Sequence, residues 1–369
     1  MSNLVVIDTA LPAGNVGFLK IEGDDVWFSP DLRDTEGWWF YWSFRVCGAM
    51  GRTLRFHGVA PDGEKAKGPL LTARGPAFSK DCGVSWQWQN PATDSETDFE
   101  FTFGAEDKEV WFSLGMNYTQ REWLKFTEQW KEHRTSLTVV EGFPMEALRM
   151  GCLEDPRKRV LVTARHHACE MMANYVMEGM IASVEKIAPP DVEFLFVPFV
   201  DVRGVANGDQ GKNRRPHDHN RDYIQTLHRE VAAVKHTALH WGRGKLAVTL
   251  DLHCPWIRHG RNEHVFQVRK EFCVEEQAQF ADILERVQTS GVGYRADGDM
   301  PWGLDWNAPS AASGTQISCS RWMGRPDGGG AALAMTFEIP YATSHGAEMN
   351  VTRCRAFGAD LMSALAEFL

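Results

Sequence analysis

Arg159-Val-Leu-Val-Thr-Ala-Arg-His-His-Ala-Cys-Glu170 changes character halfway along. Its first six residues are largely apolar and β-branched, which predicts a buried strand. From Ala168 to Lys186 the spacing becomes helical, with Met171, Tyr175, Val176, Met180 and Val184 roughly on one face. A buried strand that runs into a helix is the unit of an α/β sheet. The same alternation continues downstream. Val192-Glu-Phe-Leu-Phe-Val-Pro predicts a strand, Asp222 to His240 a helix, Leu246-Ala-Val-Thr-Leu-Asp-Leu a strand, Ala331 to Ile339 a strand, and Arg353 to Leu369 a helix. These elements imply an α/β sheet covered on its faces, with ligands gathered at the C-terminal ends of its strands. No internal repeat is evident.

The N-terminal third has another texture. Nine of the 14 tryptophans precede residue 131, among short aromatic and β-branched runs punctuated by Gly, Pro, Asp and Asn. Trp38-Trp-Phe-Tyr-Trp-Ser-Phe-Arg-Val, Thr53-Leu-Arg-Phe-His-Gly-Val and Val110-Trp-Phe-Ser-Leu are examples. Short strands with such turns predict an antiparallel β-sandwich over residues 1–120. A charged linking helix is expected over 121–135, and the α/β domain over 136–369.

Composition narrows the class. The 369 residues are 43% hydrophobic and 24% charged, an ordinary balance for a soluble globular protein of one large or two smaller domains. That excludes disorder and collagen-like repeats as the main theme. A net charge of −10 argues against bulk attraction to nucleic acid or to an anionic membrane surface. The longest apolar run, Phe194 to Val200, is too short to cross a bilayer. Met1-Ser-Asn-Leu-Val-Val-Ile-Asp lacks the basic start and apolar core of a secretion signal, so the expected compartment is the cytoplasm. The eight cysteines form no Cys-x-x-Cys pair, which predicts free thiols and excludes a cysteine-based zinc ribbon.

Three segments place a chemically competent residue at or just after a predicted strand. His167 and Glu170 lie three apart at a helix start and can face one point. His253 closes the strand Leu250-Asp-Leu-His253. Two histidines and a carboxylate make a three-ligand zinc site with one position left for water, whose proton is then lost near neutral pH. Glu338, in Thr336-Phe-Glu-Ile-Pro, is placed to take that proton as general base. Each residue alone has a plainer reading: a capping pair, a satisfied core histidine, a member of a buried ion pair. Cys169 and Cys254 flank the ligands, and they read as packing because the histidine and carboxylate set suits zinc without them. Between these segments Lys212, Arg214, Arg215 and Arg221 fall within ten residues of an acidic chain. Such a run is often only a solvated loop, but arginine forks suit carboxylates, and Asn220 with Arg221 make a plausible carboxylate clamp. The loop Asp297 to Trp306 is rich in Gly and Trp; it could border a cleft, and a tight surface loop is its plainer reading.

The order His-x-x-Glu, Asp-x-Asn-Arg, Asp-x-His and a strand bearing Glu resembles the zinc metallocarboxypeptidase superfamily, and most of all its cytosolic carboxypeptidase group. The phrases concerned are Thr163 to Glu170, Val205-Ala-Asn-Gly208, Asp218-His-Asn-Arg221, Asp251-Leu-His253 and Met335-Thr-Phe-Glu338. Glu36-Gly-Trp-Trp-Phe-Tyr-Trp, Gly83-Val-Ser-Trp-Gln-Trp and Tyr118-Thr-Gln-Arg-Glu-Trp-Leu resemble that group's N-terminal β-sandwich, so the likeness covers nearly the whole chain. It implies a mixed-sheet α/β carboxypeptidase domain with one Zn2+ held by His167, Glu170 and His253. It also implies Glu338 as general base, Asn220 and Arg221 on the substrate's terminal carboxylate, and Asp218 orienting His167. The implied partner is a peptide or protein C-terminal tail; the basic loop favours an acidic one.

The chain departs from the group's pattern in several places. Ala168-Cys169 replaces the usual Pro-Gly, Gly314-Thr-Gln the usual Gly-Thr-Gly, and no tyrosine lies where digestive carboxypeptidases place a mobile one. An arginine that polarises the scissile carbonyl usually falls three residues after Gly208; here that position is Gly211, leaving Lys212 or Arg214 to substitute. Two other readings compete. One is a zinc deacylase of N-acyl amino acids, disfavoured by the N-terminal sandwich and the short segment after Glu338. The other is a catalytically inactive binding protein, disfavoured because all three ligands and the base are present.

Overall fold

The computed structural model describes residues 4–90, 95–308, 314 and 316–369. Part of the Gly314-Thr-Gln departure lies outside these residues.

The first nine strands form two sheets, numbered here along the chain. One has the order β1 (Val6–Asp8), β4 (Ser43–Cys47), β9 (Glu109–Ser113), β6 (Ala77–Ser79), β7 (Gln87–Trp88), all antiparallel. The other has β2 (Leu19–Glu22), β3 (Asp25–Phe28), β5 (Thr53–Gly58), β8 (Asp98–Thr102). Period-two alternation sends Leu54, Phe56, Phe99 and Phe101 inward and Arg55 and Glu100 outward. Phe56 stacks on Phe99 at 4.5 Å, and both reach the opposite sheet at Phe112, at 5.4 and 5.7 Å. Burying each such ring contributes about 2–3 kcal/mol of transfer free energy. One expectation changes: β3 and β5 pair in parallel, so the second sheet is not purely antiparallel.

The linking segment is shorter than predicted. α1 (Gln120–Phe126) starts at a capping box, with Thr119 N donating to Glu122 Oε2 at 2.8 Å. It stops at Thr127, whose Oγ1 donates to the Trp123 carbonyl at 2.7 Å. A tight turn of helix, Glu128–His133, follows, and Arg134 already begins the next strand.

That strand, β10 (Arg134–Val140), edges a seven-stranded sheet with the other members β11 (Phe143–Gly151), β12 (Lys158–Ala164), β13 (Val192–Val197), β14 (Leu246–His253), β15 (Phe266–Gln267) and β16 (Leu333–Glu338). Their spatial order is β10-β11-β13-β12-β14-β16-β15. The central four are parallel and the flanking pairs antiparallel. Buried on both faces, the parallel strands read as near-continuous apolar runs, which is why the sequence revealed them.

Among the described residues six α-helices surround this sheet: α2 (Met172–Ile187), α3 (Val202–Asn207), α4 (Arg229–Thr237), α5 (Val274–Val287), α6 (Cys319–Met323) and α7 (Val351–Phe368). α2 and α7 meet through glycines: a Cβ on Gly179 would lie 1.9 Å from the Arg355 carbonyl oxygen, and one on Gly358 2.0 Å from that of Val176. α2 begins four residues later than predicted, because residues 168–171 belong to the turn that carries His167 and Glu170. α4 starts seven residues later than predicted, and a wider helical turn, Ala238–Gly242, carries it past the predicted end. The Asp222 carboxylate accepts the amides of Leu227 (2.9 Å) and His228 (2.7 Å), closing residues 222–228 into a loop. Among the described residues no helix is long and apolar enough to cross a membrane.

The N-terminal sheets are tied to the larger sheet by buried polar contacts. Tyr41 N donates to Gln210 Oε1 and Gln210 Nε2 returns to the Tyr41 carbonyl, both at 2.7 Å. Asn15 Nδ2 donates to the Gly208 carbonyl at 2.8 Å, and apolar side chains of both parts form one continuous core. The segment that makes these bonds also carries Trp39 to the C-terminal edge of the parallel strands.

Candidate active site

β12 ends at Ala164, and Arg165, at φ +58°, turns the chain sharply. Its buried guanidinium bolts the turn, donating from Nε to the Ala168 carbonyl at 2.9 Å and from Nη1 to Asn174 Oδ1 (2.8 Å) and the Tyr118 carbonyl (3.0 Å). His167 and Glu170 lie on that turn. β14 delivers His253 from the neighbouring strand. His167 Nδ1 is 2.8 Å from Glu170 Oε1; His253 Nδ1 is 2.7 Å from Glu170 Oε2 and 3.2 Å from His167 Nδ1. All three side chains are buried. The sequence placed these residues together, and the fold brings them together.

The donor set fits a metal ion. Two imidazole nitrogens and a carboxylate converge on one point, and Glu170 aims both oxygens there. Burial alone would raise the Glu170 carboxyl, but His167 and His253 hold it well below the ordinary carboxylate range. Burial would likewise lower His253; the carboxylates of Asp251 and Glu170 overrule it and raise it well above the usual imidazole value. A buried site that retains a proton so strongly is a site that favours a cation. Each imidazole meets a carboxylate on its far side, at His167 Nε2–Asp218 Oδ1 3.5 Å and His253 Nε2–Asp251 Oδ2 2.8 Å. Metal-binding histidines use such partners to fix ring orientation.

The triad opens into a cleft of about 310 Å³. Glu338 lines it from β16, with Oε2 buried and without a hydrogen-bond partner. Burial raises its carboxyl above the ordinary range, opposed by His253 and reinforced by Glu170. Asn220 and Arg221 line the cleft too; Asn220 is pinned by the Cys319 amide on its Oδ1 (2.8 Å) and by His253 Nε2 near its Nδ2 (3.2 Å). Lys212 Nζ lies 3.5 Å from His167 Nδ1 and 4.0 Å from Glu170 Oε1, over the ring of Trp39.

Arg214 is a correction. It does not line the cleft; its guanidinium faces Asp201 and Asp34, each at 3.1 Å, and Asp209 at 3.5 Å. Its charge is neutralised beneath the N-terminal sheets, so of the two candidate cations the fold brings only Lys212 to the donor triad.

The cleft takes in a loop the sequence offered and residues it did not mark. Trp302 and Trp306 do border the cleft. Lys270 is the least expected. It is 8% exposed, lines the cleft, and has no carboxylate within 4.0 Å of its ammonium among the described residues. Burial, with Arg221 adding to it, lowers its ionisation to about 8. Arg321, also in the cleft, is already paired with Glu271 at 2.5 Å. No motif marks Lys270, and its position follows only from the antiparallel return of β15 beside β16.

No protein-family model and no curated protein matches the sequence. Solved structures do match the fold. A metallo-carboxypeptidase from Burkholderia cenocepacia superposes with a TM-score of 0.78 at 19% identity, over 99% of this chain and 98% of that one. This chain has the metallo-carboxypeptidase fold. A metallo-carboxypeptidase from Pseudomonas aeruginosa, solved in complex with (2-guanidinoethylmercapto)succinic acid, matches at TM-score 0.73 and 19% identity over 98% of both chains. These likenesses take in the N-terminal sheets, since they span the whole chain.

Proposed function

We propose that this chain is a zinc-dependent carboxypeptidase that removes the C-terminal residue, preferentially an acidic one, from peptides or protein tails. One observation carries the reading: His167 and His253 of the donor triad, Glu338, and the Asn220–Arg221 pair all line one cleft. His167, Glu170 and His253 would hold the metal, which when bound supplies Lewis-acid polarisation of the scissile carbonyl and lowers the pKa of a water.

The chain's own groups do the rest. Arg221 and Asn220 hold the terminal carboxylate, the guanidinium as a planar fork. That anchors the last peptide bond against Glu338. Glu338 takes the proton of the attacking water and returns it to the leaving amine, a task suited to a carboxyl whose pKa burial has raised. Lys212 faces the negative charge that develops on the carbonyl oxygen. Trp39 and Trp256 wall the cleft and keep water from screening these charges.

The acidic preference rests on Lys270. A buried ammonium without a counter-ion is costly, and a substrate carboxylate supplies one. Wild-type protein loaded with zinc and given peptides ending in Glu, Gln, Leu or Lys is expected to release single C-terminal residues, fastest from the Glu tail. Internal cleavage, or no release from any tail, would overturn the reading.

A further inference from the structure

A second set of metal-competent donors lies outside the cleft. His219 belongs to the loop that carries Asn220 and Arg221, and His228 and Glu230 stand at the start of α4. His219 is 2% exposed and Glu230 4%, while His228 is half-buried and leaves a way in from solvent. One nitrogen from each ring and one Glu230 oxygen lie within 4.8 Å of one another. None of the three lines the cleft, and nothing in the proposed chemistry uses them.

The local hydrogen bonds leave these donors unspent. Neither ring nitrogen of His219 has a hydrogen-bond partner. Its Nε2 lies 3.6 Å from Glu230 Oε1 and 3.9 Å from Asp201 Oδ1, too far for a hydrogen bond to either. Two ligands on a tetrahedral zinc ion, each about 2.1 Å from the metal, stand about 3.4 Å apart. The 3.6 Å separation therefore suits a shared ion better than a shared proton. His228 is fixed from behind: its Nε2 donates to the His217 carbonyl at 2.9 Å, and its amide donates to Asp222 Oδ2 at 2.7 Å. A carbonyl only accepts, so the lone pair of the neutral ring is on Nδ1. Metal-binding histidines use such a carbonyl on the far nitrogen.

Charge points the same way. Among the described residues no lysine or arginine lies within 4.0 Å of the buried Glu230 carboxylate. Arg214 is already shared among Asp201, Asp34 and Asp209. A buried carboxylate without a cation is costly. The His219 and His228 rings are stacked, with centroids 4.0 Å apart and planes at 24°, so one must turn edge-on before both reach one ion. His219 is the ring that no hydrogen bond holds against such a turn.

We propose that His219, His228 and Glu230 form a second site for a divalent transition ion of the zinc type, which ties the loop of the carboxylate clamp to the start of α4. The site shares no residue with the donor triad and does not depend on the reading of that triad. The test is the zinc content of the full-length protein after equilibrium dialysis against zinc, read by elemental analysis. The proteins compared are wild type, Glu230→Gln, His228→Phe and the triad variant His167→Ala/His253→Ala. Wild type is expected to hold two ions per chain, Glu230→Gln and His228→Phe one fewer than wild type, and the triad variant one. Should His228→Phe not fold, the isosteric Glu230→Gln decides, and the triad variant reads the second site with its own residues intact. A Glu230→Gln protein with the wild-type zinc count overturns the proposal. A single wild-type zinc that the triad variant loses also overturns it and leaves the triad reading standing. A single zinc that the triad variant keeps and Glu230→Gln loses supports the second site and overturns the triad reading instead. No zinc in wild type overturns both.

Discussion

His253 and Glu338 stand on the same rung of two neighbouring parallel strands, β14 and β16. Both side chains therefore project from one face at the C-terminal edge of the sheet. A one-residue slip between the strands would turn Glu338 to the opposite face and separate it from the donor triad. Two rungs down, on the same face, Asp251 pairs with Thr336, so the partner of His253 is set by the same register.

Glu338→Gln keeps the shape of the side chain and removes its basicity. The expected outcome is a fall in kcat of about 10²- to 10⁴-fold, the usual worth of a positioned proton acceptor. Metal content, measured by elemental analysis, is expected to stay at the wild-type level because Glu338 is not one of the three donors. Turnover near wild type would remove the general-base role.

Lys270→Met is expected to lower kcat/KM for a Glu tail about 10- to 100-fold, the scale of a hydrogen bond to a charged group. A Leu tail should lose little. The pH dependence has a definite sign. Lys270 is charged below its lowered value of about 8 and neutral above it. The Glu-over-Gln ratio in kcat/KM should therefore hold at neutral pH and decline as pH rises through about 8. The Lys270→Met ratio should stay flat. A wild-type ratio that is unity at pH 7 would show that Lys270 does not read the side chain.

The donor triad and Glu338 were legible because each sits at the end of an apolar run, where the strand period and the helical three-residue spacing both announce themselves. Lys212 and Arg214 show the opposite case. Only two residues apart, they point to different sides of the loop, because Gly211 (φ +76°) and Asn213 (φ +45°) both adopt left-handed backbone. No periodicity encodes such reversals. Lys270 was invisible for another reason: it reaches the cleft through a chain return and not through a motif. The helix starts at Met172 and Arg229 were misplaced because hydrogen bonds by Arg165 and Asp222 hold the preceding residues in turns.

The two loop cations should separate experimentally. Arg214→Met strips buried Asp201 of its arginine partner, while Arg33 at 2.7 Å still holds Asp209, and is expected to destabilise the fold by about 3–5 kcal/mol. Chemical denaturation reads this directly, and KM of the protein that remains folded should change little. Lys212→Met should show the reverse, with stability close to wild type and kcat lower by about 10²-fold or more, as for other groups facing a developing oxyanion. A stability loss in Lys212→Met as large as in Arg214→Met would place both in the structural network.

Gly211 explains why an arginine cannot occupy this position in this chain. A Cβ there would lie 2.1 Å from the Ala168 amide nitrogen and 2.9 Å from the His167 Cα, and both belong to the turn that holds His167 and Glu170. Its φ of +76° adds a conformational penalty for any L side chain of about 1–2 kcal/mol. The backbone passes close to that turn, and the cation that reaches the donor triad stands one residue on, at Lys212. Gly211→Arg is therefore expected to lose metal binding and stability, not to gain activity. Gly211→Ala isolates the cause when set against Gly244→Ala, where φ is +72° but nothing lies within 4 Å of the added carbon. Gly244→Ala should show only the dihedral cost. Gly211→Ala should cost several kcal/mol more, on the scale of overpacked cores, and should weaken zinc binding by displacing His167. Equal melting temperatures for the two variants would mean that the loop can lift away from the turn, and the steric account of Lys212 would fail.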